Sequence, residues 1–478
     1  VGDTCCVVDG CGCVAMIADD GPSLCAPCVP EQEIVTETPE TNMTANDVVG
    51  GVTLDVRVGS EQGFGDLDNV YAWSMDVFKG KLYVGTLNAI FPLIGLPKFF
   101  LGLDFASEGA QIWRGTVDSS EPLGYKWSRV VVDGRGNMNN YGIRKLQTVG
   151  NYLYGVTGNH NEGFELWRTR NGVNWETIIS DGFGNTDSKS GRGLIDYKGY
   201  FYVGVENRNT GAKIYRRRIK SNGDFRRNSN WQEVVSAGFG NRFNWWVSDF
   251  VIYNDYLYVG TLNPGGFQLY RTSNGIRYDQ VIFRGNTENG SLSFDSASMR
   301  MTVYNNRLYI GTMNFFSGAS LLVNTDTEGL EFEFLFINGN GNSANAYVWQ
   351  LQVYNNRLYV GTFDTSRQFD LFSAEGNIDN STIWDVETEN AFGFVGHYGI
   401  RTMSVWNNKL MFGSASYLRN KGTIVFEGTA KNLVVRPEPP ILPDEGGLVP
   451  DARTDVISLD KTIHISFDVQ LMYIYIGV

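Results

Sequence analysis

Hydrophobic positions along most of this chain alternate with polar ones over runs of four to six residues, and the three-to-four spacing of an amphipathic helix is nearly absent. The clearest unit is Met301-Thr302-Val303-Tyr304, then Asn305-Asn306, then Leu308-Tyr309-Ile310-Gly311-Thr312. Two alternating runs joined by an Asn pair predict a β-hairpin with a tight turn. The second run recurs as Leu82-Tyr83-Val84-Gly85-Thr86, Leu257-Tyr258-Val259-Gly260-Thr261 and Leu358-Tyr359-Val360-Gly361-Thr362. Weaker copies begin at Leu153, Phe201 and Leu410, giving seven, with second-residue spacings of 71, 48, 56, 51, 50 and 52.

A third strand follows each copy, as in Phe164-Glu165-Leu166-Trp167, and then a fourth, as in Trp175-Glu176-Thr177-Ile178-Ile179. Four short strands per repeat of about fifty residues, seven times over, predict an all-β fold, a seven-bladed β-propeller spanning 51–434. The fourth strand usually leads into a Gly/Asn link such as Asp181-Gly182-Phe183-Gly184-Asn185, but the last repeat ends near Phe426 without one. A strand near Thr53–Val58 is therefore expected to complete the seventh unit and close the ring, which removes open sheet edges.

Thr169-Arg170-Asn171-Gly172-Val173-Asn174-Trp175, and less well Thr272 to Tyr278, resemble the Asp-box turn of sialidase-like propellers, with Asn where that family usually has Asp. The resemblance extends to secreted seven-bladed repeat proteins and implies architecture: in that family the box is a structural hairpin between outer strands. Sialidases also gather three arginines on a substrate carboxylate. Ten residues before the second residue of each copy stand Trp73, Arg144, Arg192, Ser248, Met299, Trp349 and Arg401. Repeat geometry places such equivalent residues together on the axis, where the arginines would line a channel and bond neighbouring carbonyls. No acid accompanies them at a spacing suited to general acid–base chemistry, so no catalytic residue and no enzymatic activity is expected. Tyr71, Trp73, Trp245, Trp246, Tyr347 and Trp349 would either stack on sugar rings or pack between repeats. Loops such as Asp181–Asp187 offer oxygen ligands, yet none has an EF-hand or repeat-toxin spacing. They read as turns, and neither a metal nor a cofactor is expected.

Composition changes the picture mainly at the ends. All six cysteines (Cys5, Cys6, Cys11, Cys13, Cys25 and Cys28) lie in the first 28 residues, and residues 1–50 carry nine acids and no Lys or Arg. That acidic, Cys-rich arm holds −9 of the net −13, a balance that argues against nucleic acid. Adjacent Cα atoms sit about 3.8 Å apart, too close for a relaxed bridge, so Cys5 and Cys6 are expected to bond elsewhere. Disulfides are favoured over thiolate–metal ligation because no cation stands near. The arm is similar, over about a dozen residues, to the N-terminal connectors of bacterial spore-appendage subunits. With Val1 first and no basic-then-apolar leader, the expectation is a secreted, processed chain at the cell surface. No apolar run reaches membrane-spanning length. Asn42, Asn289 and Asn380 begin glycosylation sequons.

Two further segments fall outside the repeat. Between Thr86 and Gln111 the first repeat carries an apolar insertion with Phe91, Leu93, Ile94, Phe99, Phe100 and Leu101, a candidate interface loop. Residues 435–454 form a proline-rich linker, and 455–478 a tail in which Ile463, Ile465, Phe467, Val469, Leu471, Tyr473 and Tyr475 alternate with mostly polar residues. A lone strand is unstable in water and must join a sheet. A closed ring with a cysteine-bearing head and a strand-bearing tail predicts a structural subunit of an extracellular filament, sheath or surface layer. In it, copies join head to tail by strand addition and disulfides. A secreted glycan-binding protein, and beyond it a sialidase-like glycan-processing enzyme, are the alternatives.

Overall fold

The computed structural model describes residues 49–89, 106–286, 293–366, 368–416 and 421–432. Among them the chain is strand, turn and a few single-turn helices, all strands belonging to one 29-stranded sheet. Each repeat supplies four antiparallel strands. In the sixth these are Asn345–Tyr354, Arg357–Asp364, Leu371–Glu375 and Asp385–Thr388, paired in that order. The hairpin turns form as the Asn pairs require: Asn305 and Asn306 have φ of 45° and 60°, and Asn355 and Asn356 of 46° and 62°. Asn tolerates this left-handed region better than most residues.

First strands meet one another in cyclic order, ending with His397–Trp406 against Asn69–Phe78. Seven antiparallel bridges also join each second strand to the next first strand: Leu87–Gly142, Gly158–Ser190, Glu206–Trp246, Leu262–Ala297, Met313–Tyr347, Phe363–Gly399 and Ala415–Tyr71. The seven-bladed β-propeller expected above, and with it the resemblance to sialidase-like and other secreted propeller proteins, is corrected by this pairing. Backbone hydrogen bonding runs unbroken around the axis through a closed barrel sheet of fourteen strands, the first two of each repeat, with the third and fourth strands as outer extensions. Repeat spacing counts strands, and four strands per period suit isolated blades and a continuous barrel equally; the bridges between repeats leave no mark in the pattern.

Closure does involve the segment near 53–58. Leu54–Val58 pairs antiparallel with Val425–Ala430, from Leu54–Ala430 to Val58–Phe426. Val56 is buried beside Phe412 and Phe426. Arg57 donates to Glu427 at 2.9 Å, and Lys409 reaches the same carboxylate at 2.5 Å.

The repeated phrase is explained by contacts between neighbours. A Cβ on Gly311 would lie 2.2 Å from Cγ1 of Val348 in the next repeat, so only glycine lets the two strands approach. The phrase's tyrosines reach outward to the next repeat: Tyr154 donates to the Gly223 carbonyl at 2.8 Å and Tyr258 to that of Gly329 at 3.0 Å. Core clusters therefore join neighbouring repeats, as where Tyr258 and Leu269 pack with Met301 and Ile310. Burying one such apolar side chain is worth about 1.5–3 kcal/mol.

Candidate functional site

All seven first strands lose register with their second strand at the same place: Ala72/Ser74, Ile143/Lys145, Gly191/Gly193, Val247/Asp249, Ser298/Arg300, Val348/Gln350 and Ile400/Thr402. The residue skipped each time is the one placed on the axis by sequence: Trp73, Arg144, Arg192, Ser248, Met299, Trp349 or Arg401. A bulge bends its strand and re-aims a side chain. Six of these residues, all but Trp349, line one axial cavity of about 60 Å³. The residue after the bulge joins them in six repeats, adding Ser74, Lys145, Asp249, Arg300, Gln350 and Thr402. Those were not predicted; their signal was the position one after the ring residue.

The cavity wall is cationic. The Arg144 guanidinium stacks 3.9 Å from the Trp73 ring, and that of Arg192 3.8 Å from Trp246. Arg192 and Arg208 share Glu206, at 2.6 and 2.9 Å. Asp249 accepts the Met301 N–H at 3.0 Å and lies 3.5 Å from Arg300 and 4.0 Å from Lys145. Arg401 packs 5.0 Å from the Trp349 ring; its own carbonyl accepts from the Gln350 amide at 2.7 Å. Among the described residues no carboxylate pairs with Arg401, and its Nε and that of Arg300 have no acceptor. All three arginines expected on the axis thus meet aromatic faces, and Arg192 also a carboxylate.

Burial and like charge shift these groups together. Burial, then Arg144, Arg192 and Arg300, lowers the Arg401 pKa well below the ordinary arginine value. Burial and Arg144 bring Arg192 down to about 10 against the pull of Glu206. Lys145 falls to about 8 through burial and Arg300, with Asp249 opposing. Glu206 runs the other way: burial alone would raise it, but Arg192, Arg208 and Arg144 hold it below the usual carboxylate range.

Two or three residues before the bulge, Tyr71, Tyr347 and Tyr398 fill the axis. Their rings lie edge to face with Trp349 or Tyr71, and the Tyr71 and Tyr398 hydroxyls hydrogen-bond each other. Burial raises the Tyr71 pKa to about 12. Of the six aromatics considered for sugar stacking, all but half-buried Trp245 are buried, so they pack rather than present a stacking face.

The Thr169–Trp175 turn is the hairpin joining Leu166–Thr169 to Trp175–Ile179. Thr169 Oγ1 accepts the Gly172 N–H, and Asn171 Oδ1 accepts those of Val173 and Asn174. Asn171 thus ties the turn together, with Gly172 at φ 75°. Asn380 is exposed in a turn. The six cysteines, the tail residues from Ile463 to Tyr475, the insertion from Phe91 to Leu101, and Asn42 and Asn289 lie outside the described residues. Among the described residues no group of three or more His, Cys, Asp or Glu could hold a metal ion, and no helix is long and apolar enough to cross a membrane.

No protein-family model matches the chain, and no curated protein sequence matches it. Among solved structures it is similar to the WD40 beta propeller domain of Doa1, at 10% identity and TM-score 0.43, covering 80% of this chain and 96% of that one. Saccharomyces cerevisiae Sqt1 is similar at 12% identity and TM-score 0.42, over 77% and 99% of the chains. The extracellular domain of the hybrid two component system BT3049 from B. thetaiotaomicron follows at 13% and 0.42, over 78% and 42%. Likenesses this distant bear on neither activity nor ligand.

Proposed function

We propose that the chain is a non-catalytic structural subunit of an extracellular assembly, a filament, sheath or surface layer. Copies are joined by addition of the 463–475 strand to a neighbouring sheet and by disulfides from the 1–28 cysteines. The observation that carries this reading is closure of the ring among the described residues by Leu54–Val58 against Val425–Ala430. Acceptor edges for the tail strand exist. Among the described residues the outermost strand of six repeats, such as Gln232–Val235 or Asp385–Thr388, pairs on one side only. Strand addition gives main-chain hydrogen bonds for affinity and alternate side chains for register. Because the tail of one copy meets the edge of another, the contact is heterologous and propagates unless it closes.

Particle size of the native protein, by light scattering and electron microscopy with and without reductant, tests the reading. Polymers are expected, shortened by deletion of 455–478 and loosened when Cys5 and Cys6 become Ser. A monodisperse monomer unaffected by either change refutes it.

A further inference from the structure

We infer that the axial cavity binds a small, multiply charged oxyanion of the phosphate or sulfate class. The inference stands apart from the assembly reading and rests on the cavity wall alone. Five cationic side chains, Arg144, Lys145, Arg192, Arg300 and Arg401, line the cavity together with one carboxylate, Asp249. Two further acids act on these cations: Glu206, already divided between Arg192 and Arg208, and Asp76, which attracts Lys145. Positive charge therefore exceeds what the protein itself neutralises, in a place where burial makes each uncompensated charge costly. Donor capacity is also unspent: the Nε groups of Arg300 and Arg401 have no acceptor among the described residues, and no carboxylate pairs with Arg401.

Placement argues for the class of anion. The cations come from the second, third, fifth and seventh repeats and so approach the axis from different sides. A monocarboxylate presents two oxygens in one direction and is satisfied by a single guanidinium fork. An ion with oxygens on all sides can use several forks at once. A volume of about 60 Å³ limits the buried part to such a group. It arrives either as the free ion or as the terminal monoester of a larger molecule.

Titration calorimetry and thermal unfolding of the full chain in sodium chloride, sulfate and phosphate and in glycerol 3-phosphate, at matched ionic strength, test this. Saturable binding of phosphate or sulfate is expected, with a higher unfolding midpoint than in chloride. Glycerol 3-phosphate binding as tightly as phosphate assigns the site to an esterified group, and its exclusion to the free ion. Arg401→Leu should weaken binding at least about tenfold, the scale of one charge-assisted contact, and should melt higher than the parent in chloride because a repelling charge is gone. If that variant fails to fold, Arg300→Gln is expected to weaken binding likewise. Absence of saturable oxyanion binding to the parent, or unchanged affinity in both variants, overturns the inference.

Discussion

Replacing Asp295 by Asn should stabilise the ring, and by an amount that grows with pH. In four repeats the equivalent position is Asn, whose amide donates to the carbonyl of a linking glycine. Asn69 bonds Gly63 at 3.0 Å, Asn140 Gly134 at 3.1 Å, Asn244 Gly238 at 2.8 Å and Asn345 Gly339 at 3.1 Å. Each also donates to the side chain just before the third strand, as Asn244 does to Gln268 at 2.7 Å. The fifth repeat has a buried Asp295, which only accepts, from Thr312 at 2.7 Å and Ser320 at 3.1 Å. Burial, opposed by those hydroxyls, raises its pKa from 3.8 to about 6. A carboxyl raised in the folded state favours folding below its unfolded pKa, and that contribution is lost as pH rises through the folded one. At pH 8 the native state carries a carboxylate that costs about 3 kcal/mol, falling to about a fifth of that near pH 4. Asn keeps an acceptor toward Thr312 and removes the ionisation. Urea unfolding of parent and variant from pH 4 to 8 should therefore show a gain rising from about 0.5 to about 2–3 kcal/mol. A gain that is flat with pH, or a loss that deepens toward pH 8, refutes the reasoning.

Three further outcomes follow from the same geometry. Gly311→Ala puts a methyl 2.2 Å from Val348 Cγ1 and should cost about 3 kcal/mol or more in urea unfolding, since the neighbouring strand cannot give way. Val56→Asp, at a buried position of the closing strand, should lower the unfolding midpoint sharply, by about 3 kcal/mol or more, whereas Val117→Asp, 60% exposed, should stay within about 0.5 kcal/mol. Lys145, lowered from 10.5 to about 8, loses its proton first in the folded state, so its unfavourable contribution is full below pH 8 and vanishes as pH rises toward 10.5. Lys145→Met should accordingly flatten the stability rise across that window, as followed by unfolding at pH 7.5, 9 and 10.5.

Much of the strand order was legible. The Leu-Tyr-Val-Gly-Thr phrase located seven hairpins because inter-repeat contacts force it: Gly311 yields to Val348, and Tyr258 reaches Gly329. The missing link after Phe426 located the closing strand. The hydrogen bonds that make one barrel of the inner strands were not legible, since a single bridge such as Leu262–Ala297 asks nothing particular of either side chain. In the site, the bulge residues were found by counting back from the hairpin, whereas Lys145, Asp249 and Arg300 were missed. Strict alternation turns consecutive residues to opposite faces; a bulge puts two in succession on one side, and no single-sequence pattern announced it.

The two readings make different demands on the same molecule, and this separates them. Strand addition at an outer edge lies on the far side of each repeat from the axis, with the second and third strands between. Among the described residues the ring closes through Leu54–Val58 against Val425–Ala430, so deletion of 455–478 should leave phosphate affinity unchanged while shortening polymers. Arg401→Leu should do the reverse, because Arg401 belongs to a first strand whose partners are all within the barrel. Titration calorimetry and light scattering on both variants form a two-by-two comparison. If deleting the tail weakens phosphate binding, or if Arg401→Leu abolishes polymers while the ring stays folded, the cavity and the outer edges are coupled. The independence argued from closure would then be wrong.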